Sequence, residues 1–411
     1  MLAFCADYGT IEEATRTRIL MEQYLNCASK GTKENNTSDA LIRLFVRHKT
    51  ELPHISIDDT DSRIYFKISV DTQAQRGSFN AAFGLLEDIL HDPLALHDGA
   101  VVERARDEQL KNIAMRVQRH QSQAYELFNQ SLFPSLYPIS EKKEIELITD
   151  SGIRKLKATF DNHLARSFPV VLYSGRLEKA EARTEILKGT AKKLVGQGSK
   201  NILVPPAYVN MPKTDEPIIK HANTNQVHHF RAYPLSKKLT DSKDRVSMFC
   251  LNQILGGGWT GRLMRVIREE DHLVYGIGSG LIPFKNMLLV RTEHDQSLLD
   301  KVYDRTTEVV TDICQGNFTD EEFYQTKDMM LESNLYTNAG RNIETCDQPG
   351  FRVFREYKKE VIMISPLGLL DAYRLLDSLG PEDVRDTARR YLDPDNSQLF
   401  LYANTTKGDV Q

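Results

Sequence analysis

The hydrophobic pattern along the second half of the chain sets strands and helices in a definite order. Residues 227–233, 273–281 and 286–292 read as strands, the last two joined by the hairpin-length link Ile282-Pro283-Phe284-Lys285. Between the first two strands, residues 241–255 read as a helix with a capping start and apolar residues at Val246, Phe249, Cys250 and Leu255. A glycine turn follows, through Gly256-Gly257-Gly258 to Gly261. Next comes a short amphipathic helix ending near Arg268, then a strand opening at Tyr275. A guanidinium and a phenol both donate hydrogen bonds without changing charge. On one side of a groove, the pair suits the grip on a peptide carbonyl or carboxylate. The plainer reading of the same spacing makes Arg268 a solvated helix-end charge and Tyr275 a half-buried strand residue.

The pattern also repeats. A helix closes over residues 85–93, and a charged helical run follows over about 98–128. A second helix closes over 309–316, and Thr319, placed as an N-cap with acids behind it, opens another long one. A helix from 149 leads to a strand at 168–173, just as one from Gly380, with Pro381 at the first helical position, leads to 398–402. Asp88 and Asp312 stand 224 positions apart, and Tyr173 and Tyr402 stand 229 apart, which means a duplicated domain. The expected division is a first domain over 1–190, a Lys-, Gly- and Pro-rich linker over 191–220, and a second domain over 221–411. Hairpin-linked strands covered by long helices make the fold class α+β, each half an antiparallel-rich sheet under helices. The helices between Thr319 and Tyr391 read as amphipathic core-packing elements.

With 40% apolar and 27% charged residues among 411, the composition is that of a soluble globular protein. A net charge of −4 of mixed sign excludes a dedicated nucleic-acid surface. Cys5, Cys27, Cys250, Cys314 and Cys346 are scattered and contain no CxxC, which fits free thiols in a reducing compartment. The start carries no basic, apolar leader, and no stretch approaches the roughly 20 apolar residues of a membrane span. The expectation is a cytoplasmic protein with no membrane partner.

Candidate chemistry is sparse. Gly256-x-Gly258-x-x-Gly261 matches the dinucleotide fingerprint, but a helix precedes it where a strand is needed, and no acid stands about 20 residues on. No Gly-Lys-Ser/Thr follows, so a P-loop is excluded. The eleven histidines contain no HxxEH and no HxxH. His91, His97 and Glu103 are separated by Asp92-Pro93, and His228 and His229 are adjacent on a strand and point to opposite faces. Gly276-Ile277-Gly278-Ser279-Gly280 places its serine one position late for a nucleophile elbow. Cysteine chemistry stays open, though none of the five thiols has a base nearby in sequence.

These features together resemble the M16 family of zinc peptidases, the insulinase, pitrilysin and mitochondrial processing peptidase family. The strongest part is 255–279, which is similar to that family's glycine turn, arginine-bearing helix and following strand. The resemblance implies two duplicated M16-type (LuxS/MPP-like) domains closing around an unfolded peptide. It also implies that Arg268 and Tyr275 bind substrate backbone.

The family's HxxEH zinc motif is degenerate here. The corresponding helix reads Arg18-Ile19-Leu20-Met21-Glu22-Gln23-Tyr24, with Ser29-Lys30-Gly31-Thr32 behind it like the family's F-K-G-T. Ile19 and Gln23 stand where the histidines belong, and only Glu22 is retained. The distant ligand falls in Val102 to Asn112, with Asn112 the candidate position. The resemblance therefore implies no metal and no catalytic residue in this chain. It points to the non-catalytic subunit of a bacterial heterodimer, to which residues 10–15 are also similar. Arg268 and Tyr275 would serve a zinc-bearing HxxEH partner. The alternatives are an M16-like scaffold with no peptidase role, or one half of a longer peptidase.

Overall fold

The computed structural model describes residues 2–32, 37–47, 54–60, 63–69, 84, 88–171, 211, 216–338 and 369–404. Among these, 2–117 and 135–171 form one compact unit, and 118–134, 211, 216–338 and 369–404 form another. Of the stretch read as a linker, only Met211 and residues 216–220 are described, the last of them lying in a strand.

The first unit opens with β1 (Leu2–Asp7) and α1 (Ile11–Ala28). It continues through α2 (Ser38–Arg47), β2 (His54–Thr60), β3 (Arg63–Ser69) and α3 (Gly99–Gln118). After α4 (His120–Leu132), which belongs to the second unit, come α5 (Glu141–Thr149), α6 (Ile153–Arg166) and β4 (Phe168–Val171). The sheet order is β2-β3-β1-β4, every pair antiparallel. On β3, alternate residues Ile64, Phe66 and Ile68 face inward and are fully buried. They pack with Phe4, and with Met21 and Tyr24 of α1 and Phe160 of α6. Phe160 meets the Phe66 ring edge-on at 5.2 Å. Thr10 starts α1 by accepting a hydrogen bond from the Glu13 amide at 3.2 Å.

The second unit begins with β5 (Ile218–His221), β6 (Gln226–Pro234) and α7 (Ser242–Asn252). The hairpin β7 (Gly276–Ile282) and β8 (Met287–Asp295) follows, then α8 (Leu299–Cys314) and α9 (Asp320–Asn338). It ends in α10 (Leu369–Ser378), α11 (Pro381–Tyr391) and β9 (Gln398–Ala403). The sheet order is β5-β9-β6-β8-β7, antiparallel except where β5 joins β9. Without β5, this is the order of the first sheet with β6, β7, β8 and β9 in the places of β1, β2, β3 and β4. The duplication is therefore present in topology, and the α+β class holds in both units.

Caps read from sequence are made. Asp241 accepts from the Asp244 amide at 2.9 Å, and Thr319 and Glu322 cap each other reciprocally at 3.1 and 2.9 Å.

Two readings are corrected. The charged run over 98–128 is two helices, broken at Arg119, whose φ of −86° and ψ of 105° are extended. Beyond the break, α4 packs on the second sheet, with Phe128 5.2 Å from Phe230 and 5.7 Å from Phe400. With α4 on one face and Tyr303 of α8 over His229 on the other, β6 is buried continuously from Val227 to Tyr233, and its alternation is lost. The strand expected from 273 begins at Gly276, because Leu273 is used to end the preceding helix. The Leu273 amide bonds to the Ile267 carbonyl at 3.0 Å and the Asp271 amide to that of Val266 at 2.9 Å, around a left-handed His272 at φ 53°.

Candidate functional site

The glycine turn is shaped by lack of room. A Cβ on Gly261 would come 2.6 Å from the Gly256 Cα, and one on Gly256 would meet Leu263 at 2.8 Å and the Ser279 backbone at 3.2 Å. The turn therefore lies tight on β7, the outermost strand of its sheet, where the Ser279 hydroxyl also donates to Asn252 Oδ1 at 2.9 Å. The wide helical turn Gln253–Gly257 leads into it, and a second one, Met264–Glu270, carries the chain onward.

Three arginines project from this second turn region, at positions 262, 265 and 268. Arg262 forks onto Glu322 at 2.5 and 3.0 Å, and Arg265 reaches the same carboxylate at 3.0 Å. Partial burial pushes the Glu322 carboxyl up, but the Arg262 and Thr319 hydrogen bonds outweigh it and hold it below the usual range. Arg268 is held differently. Its guanidinium lies 5.7 Å from the Trp259 ring centre and 3.5 Å from Met264 Sδ, and its carboxylate neighbour is Glu269 at 3.8 Å.

Tyr275 stands where β7 begins, its amide bonded to the Glu293 carbonyl at 2.8 Å and its side chain 55% exposed. The phenol donates to Asp295 Oδ2 at 2.9 Å, and this bond raises its pKa above the ordinary tyrosine value. Arg268 and Tyr275 thus flank the six residues 269–274 next to one sheet edge, both reachable from solvent. Sequence reading did not find Asp295, although hairpin pairing of Gly276 with Glu293 places it beside Tyr275. It also gave no role to Trp259. The available signal was the sole tryptophan of the chain, standing in a glycine turn.

The degenerate motif has a different environment. Ile19 is 1% exposed in an apolar cluster with Ile113, Leu147 and Ile148. Gln23 is buried and donates to the Ile148 carbonyl at 3.0 Å, and its Oε1 has no partner among the described residues. Glu22 pairs with Arg18 at 2.7 Å on the half-exposed side of α1, and Asn112 is exposed on α3. One amide oxygen beside packed isoleucines does not fit a zinc ion, which needs imidazole, thiolate or carboxylate donors converging on one point. Among the described residues, no three His, Cys, Asp or Glu side chains are grouped to hold a metal.

The remaining chemistry is set by burial. Cys27, Cys250 and Cys314 are free and buried, their thiols pushed up to about 11, 12 and 12, so thiolate nucleophiles are disfavoured there. Cys346 lies outside the described residues, as does the side chain of Cys5. His228 and His229 do face opposite ways, towards Tyr402 and Tyr303 respectively. Among the described residues, no helix is long and apolar enough to cross a membrane.

Residues 153–330 match the family model described as the peptidase M16 inactive domain, a span that contains the glycine turn, Arg268 and Tyr275. No curated protein matches the sequence. Among solved structures, a conserved protein from Enterococcus faecalis V583 aligns with TM-score 0.77 at 16% identity, covering 99% of this chain and 93% of that one. A peptidase M16 inactive domain from Pseudomonas fluorescens aligns with TM-score 0.71 at 16% identity, covering 98% and 92%. A protease from Helicobacter pylori gives TM-score 0.68 at 14% identity over 98% and 93%. At such identities the likeness is one of fold. Residues 153–330 are thus similar to the M16 inactive domain, and the chain as a whole shares the fold of these solved structures.

Proposed function

We propose that this chain is the non-catalytic subunit of a two-chain M16 peptidase. In this reading a partner with an intact HxxEH motif holds the zinc and supplies the general base. This chain supplies Arg268 and Tyr275, whose donors grip the substrate carbonyl near the scissile bond and stabilise the oxyanion as it forms. The substrate is an unfolded peptide. One observation carries the reading. Ile19 and Gln23 are committed to packing and to a backbone carbonyl, whereas Arg268 and Tyr275 stand open beside the outer strand of their sheet.

The test is zinc content and cleavage of an unstructured peptide, for the purified chain alone and mixed with an HxxEH-bearing M16 protein encoded in the same genome. The reading expects no stoichiometric zinc and no cleavage from the chain alone, with cleavage in the mixture exceeding that of the partner alone. Tight zinc and cleavage by the isolated chain would overturn it. Inactivity of the mixture would move the weight to an M16-like scaffold.

A further inference from the structure

The indole of Trp259 is 78% exposed, the most open of the large apolar side chains among the described residues. Its backbone belongs to a tight turn. The turn that carries it is closely packed, since a Cβ at Gly256 or Gly261 would collide with its neighbours, and Gly256 lies against Ser279 of β7. A cation lies over the ring, and two thioethers stand against its neighbours. Arg268 stacks on the ring, Met264 Sδ lies against Arg268, and Met329 reaches the turn from α9, 3.7 Å from the Thr260 hydroxyl. Methionines adapt to side chains of varied shape, and an indole has only two side-chain torsions to order on binding.

We propose that Trp259, with Met264 and Met329, is a subsite for one apolar side chain of an extended peptide, and that Arg268 takes the adjacent backbone carbonyl. The inference rests on the peptide-binding reading above and adds a preference to it. The occupant is an extended segment because the neighbouring β7 is an edge strand, with hydrogen-bonded partners on one side only among the described residues. It is apolar at one position because covering an open indole favours an aliphatic or aromatic contact. Arg268 is suited to the carbonyl because its cationic group is braced by the ring while its carboxylate neighbour sits at 3.8 Å.

Trp259 is the sole tryptophan, so its emission reports on this place alone. The experiment titrates the full chain with unstructured fluorescent-labelled peptides that differ at one central position, Leu or Phe against Ser or Asp. Binding is followed by label anisotropy, and the indole by acrylamide quenching in parallel titrations with unlabelled peptide. The Leu and Phe peptides should shield the indole and bind on the order of tenfold tighter than the Ser and Asp peptides. Trp259→Phe should keep that preference, and Trp259→Ala should erase it.

Equal binding of all peptides by wild type and Trp259→Ala would overturn the subsite and leave the two-chain reading standing. Absence of any saturable binding would also overturn it, with the two-chain reading then judged by the zinc and cleavage measurements. Shielding that grows with protein concentration alone would overturn it in favour of a second copy of this chain as the occupant.

Discussion

The Tyr275 hydroxyl donates to Asp295 Oδ2 at 2.9 Å, so the proton that would grip a substrate oxygen is already engaged. A peptide carbonyl must therefore compete with a carboxylate, a stronger acceptor than itself. Asp295→Asn should bring the phenol pKa down towards the ordinary tyrosine value, because the bond to Asp295 is the first cause of its rise. The carbon-13 shift of the Tyr275 ring followed against pH checks this. An unchanged titration would mean that another group holds the proton.

On the proposed two-chain reading, removing the donors themselves should cost activity and little else. Tyr275→Phe and Arg268→Ala should each lower turnover of the two-chain enzyme by about tenfold to a thousandfold, the range of a lost oxyanion donor. Both residues are partly exposed, so thermal unfolding of the chain should barely move. Full activity in both variants would remove them from the site.

Ile19 works as packing. Ile19→Ala should destabilise the first unit by about 2–4 kcal/mol through lost burial and the cavity left among Ile113, Leu147 and Ile148. Restoring the motif with Ile19→His and Gln23→His should lower stability instead of creating a zinc enzyme, because an imidazole among isoleucines lacks polar partners. Denaturant midpoints and zinc content of the double variant check this. Stoichiometric zinc with undiminished stability would contradict it.

Acid should weaken both units. Burial lowers His163 to about 4 and His229 to about 3, so both remain neutral in the fold while the unfolded chain protonates near pH 6.5. Their depressed values mean that stability is full above about pH 6.5 and is lost as pH falls from there towards 4. The slope is at most about 1.4 kcal/mol per pH unit for each histidine. Urea midpoints at pH 7 and pH 5 test the trend, and equal midpoints would refute it.

His272 sits at φ 53° between the Arg268 turn and Tyr275, a conformation that glycine adopts without the Cβ penalty. His272→Gly should keep or raise the melting temperature, whereas the β-branched His272→Val should lower stability by about 1–2 kcal/mol. Calorimetry of the two variants decides it, and a Val variant as stable as wild type would show that the turn is not constrained.

Much of the second unit was legible because its signals are local. The Asp241 and Thr319 caps, Pro381 at a helix start and the β7–β8 hairpin need only neighbouring residues to be recognised. The first sheet was harder. β1 passed as an unremarkable start, and the β2–β3 hairpin gave no reading at all, because its alternation gains meaning only once Phe66 meets Phe160 about ninety residues later. The break at Arg119 was invisible for a related reason. The polar pattern continues through it, and what ends the helix is the apolar face of α4 turning to Phe230 and Phe400, far along the chain. At the site, Arg268 and Tyr275 came from a resemblance, while Asp295 and Glu322 depend on strand register and helix packing.

The placement of α4 also bears on how the chain is made. Phe128 leaves the ribosome some hundred residues before Phe230 and nearly three hundred before Phe400, the rings of the second sheet against which it packs. The first half therefore carries a sticky helix through most of synthesis, an opening for holding chaperones. A nick anywhere in 191–220 would leave an amino-terminal fragment still clasping the second sheet through that helix, so cleavage there should not separate the two pieces.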